Sequence, residues 1–276
     1  MCGGILRMSE KTLNSVLPGV FIAQKKNGDI YYRSSITYRM KHISLGSYAN
    51  ESDAHAAYEE ARRLLDDTTH TFDPQFMPSA LSFEKYVILM NFRDNNYYFK
   101  NPIYAYAKYF LYFLSQEHIL KFDTDDLFYY ASHKIMKRGG HLFLADYGMQ
   151  VSLLSRYGIR PYAVEGRDYR FINGDANDFR YENIEVLLPY HGVQIVAHPA
   201  QNRYKTVIHI RSNYVVGTYA TLEEAAIAYN KAVDILKKNG FKRQFLQNYI
   251  ETLSPSQYAS IYTKVAISDT IFQLKP

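Results

Sequence analysis

Carboxylates crowd one stretch of this chain. Asp168, Asp175, Asp178 and Glu182 fall in a short run that also holds Asn173, Asn177, Arg180 and Asn183. Carboxylates alone can hold a hard divalent cation, and a cation so held stabilises charge at a phosphoryl centre. Hydrolysis also needs a group that takes a proton from water, and no histidine lies between His141 and His191. The competing reading is structural: Asp175 and Asp178, beside Gly174, bond nearby backbone N–H groups and hold a turn. Cys2 is the only cysteine, and no base is positioned beside it to make it a nucleophile. A single cysteine also excludes a disulfide framework and a cysteine-based zinc module, and it suits a reducing interior.

The second chemistry resides in bases set on β-rich runs. Between Gly19 and Gly46 stand Lys25, Lys26, Arg33, Arg39 and Lys41 against the single acid Asp29. Between Gly192 and Gly217 stand Arg203, Lys205 and Arg211, with His198 and His209, and no acid. The segment Glu51–Asp66 that follows the first run is rich in acids. Basic strands backed by an acidic or neutral helix make an anion-facing surface.

These two runs are copies of one another. Gly19-Val20 recurs as Gly192-Val193, Leu45-Gly46-Ser47-Tyr48 as Val216-Gly217-Thr218-Tyr219, and Ala57-Tyr58 as Ala228-Tyr229. Each copy reads as three short strands followed by a helix. Asn50 caps the first helix; Thr221 and Glu224 form a capping box on the second. Ala54, Ala57, Tyr58, Ala61 and Leu65 share one face of the first helix, and Ala225, Ala228, Tyr229, Ala232 and Leu236 one face of the second. Small alanines let each helix sit close to one face of its sheet and leave the other for solvent or a ligand.

The copies resemble the APETALA2/ethylene-response type of DNA-binding domain. Tyr190-His191-Gly192-Val193 and the run from Val216 to Tyr229 carry the closer match. The resemblance implies a sheet lying in the DNA major groove, where base edges are distinguishable. Carried over by position, Tyr32 and Tyr204 open the second strands where the family usually has Trp. The DNA-facing set is then Arg33, Ser35 and Thr37 in the first copy, with Ser34, Ile36 and Tyr38 turned to the helix. In the second copy it is Lys205, Val207, His209 and Arg211, with Gln194 and His198 from the neighbouring strand. Lys25, Lys26, Lys41 and Arg203 complete the expected DNA-binding residues. Phe21, Ala23 and Val207 depart from the family's polar or basic pattern.

Tyr169 to Val186 resembles the core of HNH endonucleases: Gly174, Arg180, Asn183 and Ile184 fall on that family's pattern at its spacing. The general-base position holds Phe171, the next Asp is Asn173, and the Asn after Gly is Asp175. The resemblance therefore implies the module's fold without its chemistry, with no catalytic or metal-ligating residue expected.

The chain has 276 residues, 47% hydrophobic and 21% charged, which is a globular composition with room for several small domains. Its net charge of +5 permits nucleic acid without requiring it. No run approaches the roughly 18 apolar residues of a membrane span, and no secretory signal follows Met1. The expectation is an α+β, cytoplasmic protein of five parts. Residues 14–71 form a sheet–helix module, 72–138 an aromatic helical insert and 139–188 a degenerate HNH-like ββα module. A second sheet–helix module occupies 189–240 and a helical segment 241–276. In the insert, Asn101-Pro102 reads as a helix start and Ile103 to Leu114 as a buried core helix, with a base-stacking platform as the alternative. Lys137-Arg138-Gly139-Gly140 reads as a basic turn. Ser254-Pro255-Ser256 opens a last helix running through Ile267. The expected partner is double-stranded DNA, with a homodimer open, no membrane and no cofactor. The rivals are a divergent metal-dependent HNH nuclease using Asp175 or Glu182, and a scaffold that dimerises through the aromatic insert.

Overall fold

A computed structural model describes the backbone of residues 13–14 and the whole of residues 17–146, 148–160, 163–197 and 201–276. The protein is α+β and divides into two compact units. One comprises residues 1–153 with 173–183, the other residues 154–172 with 184–276.

The first unit opens with an antiparallel sheet of β1 (Leu13–Asn14), β2 (Val20–Gln24), β3 (Ile30–Tyr38) and β4 (Lys41–Tyr48), in that order. Helix α1 (Glu51–Asp66) starts at Asn50, whose side chain accepts from Asp53 N. Ala54, Ala57 and Ala61 are fully buried, so α1 lies close on β3 and β4. Two residues join β3 to β4, and both Arg39 and Met40 have positive φ. That is the backbone of a primed hairpin turn, which usually takes glycine or asparagine. Arg39 is tied down: its Nη1 donates to Phe92 O at 3.0 Å and Arg93 O at 3.1 Å, and to Asn96 Oδ1. It thereby caps the C-terminal end of α2 (Phe83–Asn95).

After α2 the chain departs from the expected helix. Residues 103–113 form β5 (Ile103–Ala105) and β6 (Tyr109–Phe113), which pair with each other and with β7 (Ile119–Asp123). Pro102 precedes a strand. The physical reason is composition: this run is dominated by aromatic residues, which lose rotamer freedom in a helix and pack well on a pleated surface. Phe110 and Tyr112, two apart, are buried. Phe110, Phe122, Tyr130 and Phe179 form a ring cluster, with Phe122 and Tyr130 centroids 4.2 Å apart. These rings are core, not a stacking platform. The insert is thus a helix and a sheet, followed by the short α3 (Leu127–Ser132). A third sheet follows, with β8 (Ile135–Arg138), β9 (His141–Asp146) and β10 (Met149–Ser152) in the order β10-β9-β8. Gly139 and Gly140, both at positive φ, make the tight turn between β8 and β9.

In the second unit β11 (Tyr169–Phe171) pairs with β12 (Ile184–Val186). No α-helix follows β12 before the next strand, so the HNH-like segment is a hairpin and lacks the helix of the expected ββα unit. The chain instead passes directly into β13 (Val193–Val196), β14 (Arg203–His209) and β15 (Asn213–Tyr219). Helix α4 (Leu222–Lys238) carries the Thr221/Glu224 capping box and covers this sheet. The last helix begins as expected with a capping box at Ser254 but ends at Lys264 as α5 (Pro255–Lys264). A short α6 (Asp269–Gln273) follows. Among the described residues no helix is long and apolar enough to cross a membrane.

Candidate nucleic-acid interface

The residues shared by the two copies hold the same positions in each sheet. In the first, Ser34 pairs with Gly46 and Ser35 with Ser44, leaving Leu45 as a β-bulge. In the second, Thr206 pairs with Gly217 and Val207 with Val215, leaving Val216 as the bulge. Leu45 and Val216 are both in the core. Gly19 and Gly192, at φ +76° and +73°, accept the amide at the bulge: Ser35 N donates to Gly19 O at 3.0 Å and Val207 N to Gly192 O at 2.7 Å. Each glycine also lies under the helix tyrosine of the motif. A Cβ on Gly19 would stand 2.1 Å from Tyr58 Cδ2, and one on Gly192 2.3 Å from Tyr229 Cδ2.

The strand tyrosines Tyr48 and Tyr219 close each module. Tyr48 OH donates to Ala80 O at 3.3 Å and Tyr219 OH to Ala266 O at 2.8 Å; burial pushes the Tyr219 phenol up to about 12. The matching helix positions, Glu60 and Lys231, bind the same straps with opposite charge. Glu60 accepts from Ser79, Ala80 and Leu81 N at 2.7–2.8 Å, whereas Lys231 Nζ donates to Val265 O at 2.8 Å. Burial alone would raise the Glu60 carboxyl, but these N–H groups outweigh it and hold the pKa below its ordinary value.

This scaffold fixes which side chains face away from the helix. Directly opposed residues of an antiparallel pair share a face. Ser34, Ile36 and Ile43 are buried toward α1, so Arg33, Ser35 and Thr37 take the other face. Arg33 stands opposite Phe21 and Ser47, and Thr37 opposite His42. Arg33 and Thr37 are exposed; Ser35, on the same face, is only 8% exposed. Lys25 and Lys26 are exposed in the β2–β3 turn, which Lys25 N closes onto Asp29 O at 2.8 Å. Lys41 is different. It pairs with Tyr38 on the helix side, and its Nζ lies 5.1 Å from the centre of the Tyr98 ring. Lys41 therefore does not stand on the outer face, because the two-residue turn places it one step out of phase with His42.

On the second sheet Gln194 stands opposite Lys205, Val196 opposite Arg203, and His209 opposite Asn213. Gln194, Arg203, His209 and Arg211 are exposed and Lys205 is half-buried. Neither outer face carries an acid on its strands. His198 lies outside the described residues. Part of this face is roofed by residues of the stretch that the sequence assigned to the HNH-like module. Arg160 and Arg167, with Gln194, Val207 and His209, line a cavity of about 170 Å³. Asp168 accepts from Val164 N at 2.7 Å and pairs with Arg167 at 2.7 Å; against the upward push of burial, these hold its carboxyl low. His191 is shifted down by burial and then by the charge of Arg160.

The loop of residues 173–183 explains what the HNH-like residues do. Asn183 Oδ1 accepts from Asn173 N and its Nδ2 donates to Asp178 O, both at 2.8 Å. Asp178, 2% exposed, is forked by Arg180 and accepts from Asn173 Nδ2 at 3.0 Å. Asp175 Oδ1 accepts from Asn177 N, and Glu182 pairs with Arg180 Nη1. Asp175 and Asp178 thus hold the turn. The loop joins the first unit through Lys121, which exchanges backbone bonds with Asn177 and Phe179. Phe171 is 7% exposed. Among the described residues no three His, Cys, Asp or Glu side chains are grouped to hold a metal ion. No protein-family model, curated protein or solved structure matches this chain.

Proposed function

We propose that this chain is a non-catalytic double-stranded DNA-binding protein that uses the helix-free faces of its two sheet–helix modules. The observation that carries this reading is the shared bulge register, which leaves Arg33 on one outer face and Arg203 and Lys205 on the other, with no acid on the strands of either. Arg33 with Lys25 and Lys26 serves one face; Arg203, Lys205 and Arg211 serve the other. The major groove admits a two-stranded β-ribbon, and each outer face contains one, β3–β4 in the first sheet and β14–β15 in the second. Arginine and lysine suit phosphate or guanine, and Thr37, Ser47 and Gln194 suit either phosphate or base edges. Two weak faces on one chain add, since the second contact is intramolecular. An origin in a homing-endonuclease-like architecture that kept recognition fits the saturated carboxylates of the 173–183 loop, and transcriptional regulation is the use this reading favours.

Fluorescence anisotropy on duplex DNA across a salt series tests it. Six bases reaching phosphate give a log–log slope near −5, hence about a 10³-fold affinity loss between roughly 50 and 200 mM salt. Replacing Arg203 and Lys205 together by alanine makes that slope shallower by about 2. Absence of duplex binding at low salt, or a slope untouched by this pair and by Arg33→Ala, overturns the proposal.

A further inference from the structure

The second unit contains a cavity on the outer face of its sheet, which the DNA-binding reading touches only through Gln194. It is bounded by the outer face of β14 on one side and by Ile159, Arg160, Ala163, Arg167 and Asp168 on the other. We infer that this cavity is a binding site for a small organic monoanion with a flat apolar body, an aromatic or heteroaromatic carboxylate.

Size, lining and charge each support that class. The volume is about 170 Å³, and a void of roughly 150 Å³ takes a benzene ring. Ile159, Val186, Leu188 and Val207 supply apolar wall, which favours a flat hydrocarbon or heterocycle over a bare phosphate. The two guanidiniums are not equivalent. Arg167 is neutralised by Asp168, with Nη2 to Oδ2 at 2.7 Å. Arg160 forms no ion pair among the described residues, and its Nη2 is buried without a hydrogen-bond partner. Arg160 lines the cavity without an ionic partner among the described residues, and a carboxylate, with its bidentate match to guanidinium, is its natural counterpart. The lowered pKa of His191, caused by burial and then by Arg160, shows that this charge is felt within the unit. One uncompensated positive charge selects a monoanion.

His209 adds direction. Its Nδ1 lies 2.9 Å from Asn213 Oδ1, and an amide oxygen only accepts, so Nδ1 carries the hydrogen. The His209 ring, held by this contact, and the Gln194 amide supply the polar part of the lining.

The test uses the full chain with benzoate and its neutral isostere benzamide, followed by calorimetry and by amide chemical shifts of β13 and β14. Benzoate binds saturably, benzamide at least tenfold more weakly, and Arg160→Gln weakens benzoate at least tenfold. Arg62→Gln, which removes the same charge from an exposed site in the first unit, leaves benzoate binding unchanged. Gln194→Leu provides a second variant should Arg160→Gln lower the thermal midpoint, and it weakens benzoate severalfold with its shifts confined to the same strands. The inference fails if benzoate does not bind by about 10 mM, an affinity of only about −3 kcal/mol. It fails equally if benzamide matches benzoate, or if Arg62→Gln acts like Arg160→Gln. None of these outcomes depends on whether duplex DNA binds.

Discussion

The two motif glycines lend themselves to a paired perturbation, because the structure gives them different second neighbours. Gly19→Ala places an L-residue at φ +76°, a left-handed conformation unfavourable by about 1–2 kcal/mol. Its Cβ would stand 2.1 Å from Tyr58 Cδ2, far inside the ordinary carbon contact of roughly 3.5–4.0 Å. The ring must move, adding about 1–3 kcal/mol of overpacking. The total is about 3 kcal/mol, or about 6–12 °C in a unit of this size. In a Tyr58→Ala background the ring is gone, so the same Gly19→Ala change retains only its backbone part of about 1–2 kcal/mol. Gly192 behaves otherwise. A Cβ there meets Tyr229 Cδ2 at 2.3 Å but also the Val207 carbonyl oxygen at 2.5 Å, and backbone does not step aside. Gly192→Ala therefore stays about equally damaging with Tyr229→Ala beside it. Native-state hydrogen exchange of the α1 and α4 amides reads the two units separately, without requiring one cooperative transition. A Gly19→Ala penalty unchanged by loss of Tyr58 would refute the claim that this glycine exists to admit the ring.

Two further outcomes follow from the side-chain geometry. Glu60→Gln exchanges a carboxylate that accepts three backbone N–H groups for a neutral amide, lowering first-unit stability at pH 7 by about 1.5–3 kcal/mol. Because the native pKa lies below its ordinary value of 4.5, the wild-type stabilisation is fully present above that value. It fades as pH falls through the native pKa, so urea titrations of the variant lack this part of the acid-limb decline. Supercoiled plasmid incubated with Mg²⁺ or Mn²⁺ stays intact, since Phe171 cannot take a proton and Arg180 already engages Asp178 and Glu182. Cleavage that vanishes with Asp175→Ala or Glu182→Ala would restore the nuclease reading.

What the sequence carried well was periodic or repeated. The duplicated Gly-Val, Gly-x-Tyr and Ala-Tyr signals marked both modules because each residue is fixed by a contact that tolerates little else: glycine under tyrosine, tyrosine on a strap carbonyl. Capping at Asn50, Thr221 and Ser254 was legible for the same reason, being a local bond. The aromatic run at residues 103–113 misled because a continuous apolar stretch has no phase. Only the pairing of β6 with β5 and β7 shows that it is strand. The helix missing after β12 had no signal, because the second module begins there and its opening glycine already occupies the next turn.

Charge was the least legible quantity, and the reason bears on function. Sequence counts five bases on the first sheet, but Arg39 is spent on the end of α2 and Lys41 leans on Tyr98 from the helix side. Residue type gives the charge; register and tertiary contacts decide which face displays it. On the second sheet the correction runs the other way. Arg160 and Arg167 come from a segment with no repeat to flag it, yet they stand against the Val207–His209 end of the outer face. The duplicated scaffold therefore presents two unequal surfaces. The first carries Arg33 beside Phe21; the second is partly roofed, leaving Arg203 and Lys205 outside the cavity and drawing Gln194 and His209 into it. Since the glycine–tyrosine locks are common to both, this divergence was free to occur on the helix-free side without disturbing either fold. On the proposed DNA-binding reading, copies that share a lock and differ in their exposed face meet one duplex with two chemistries.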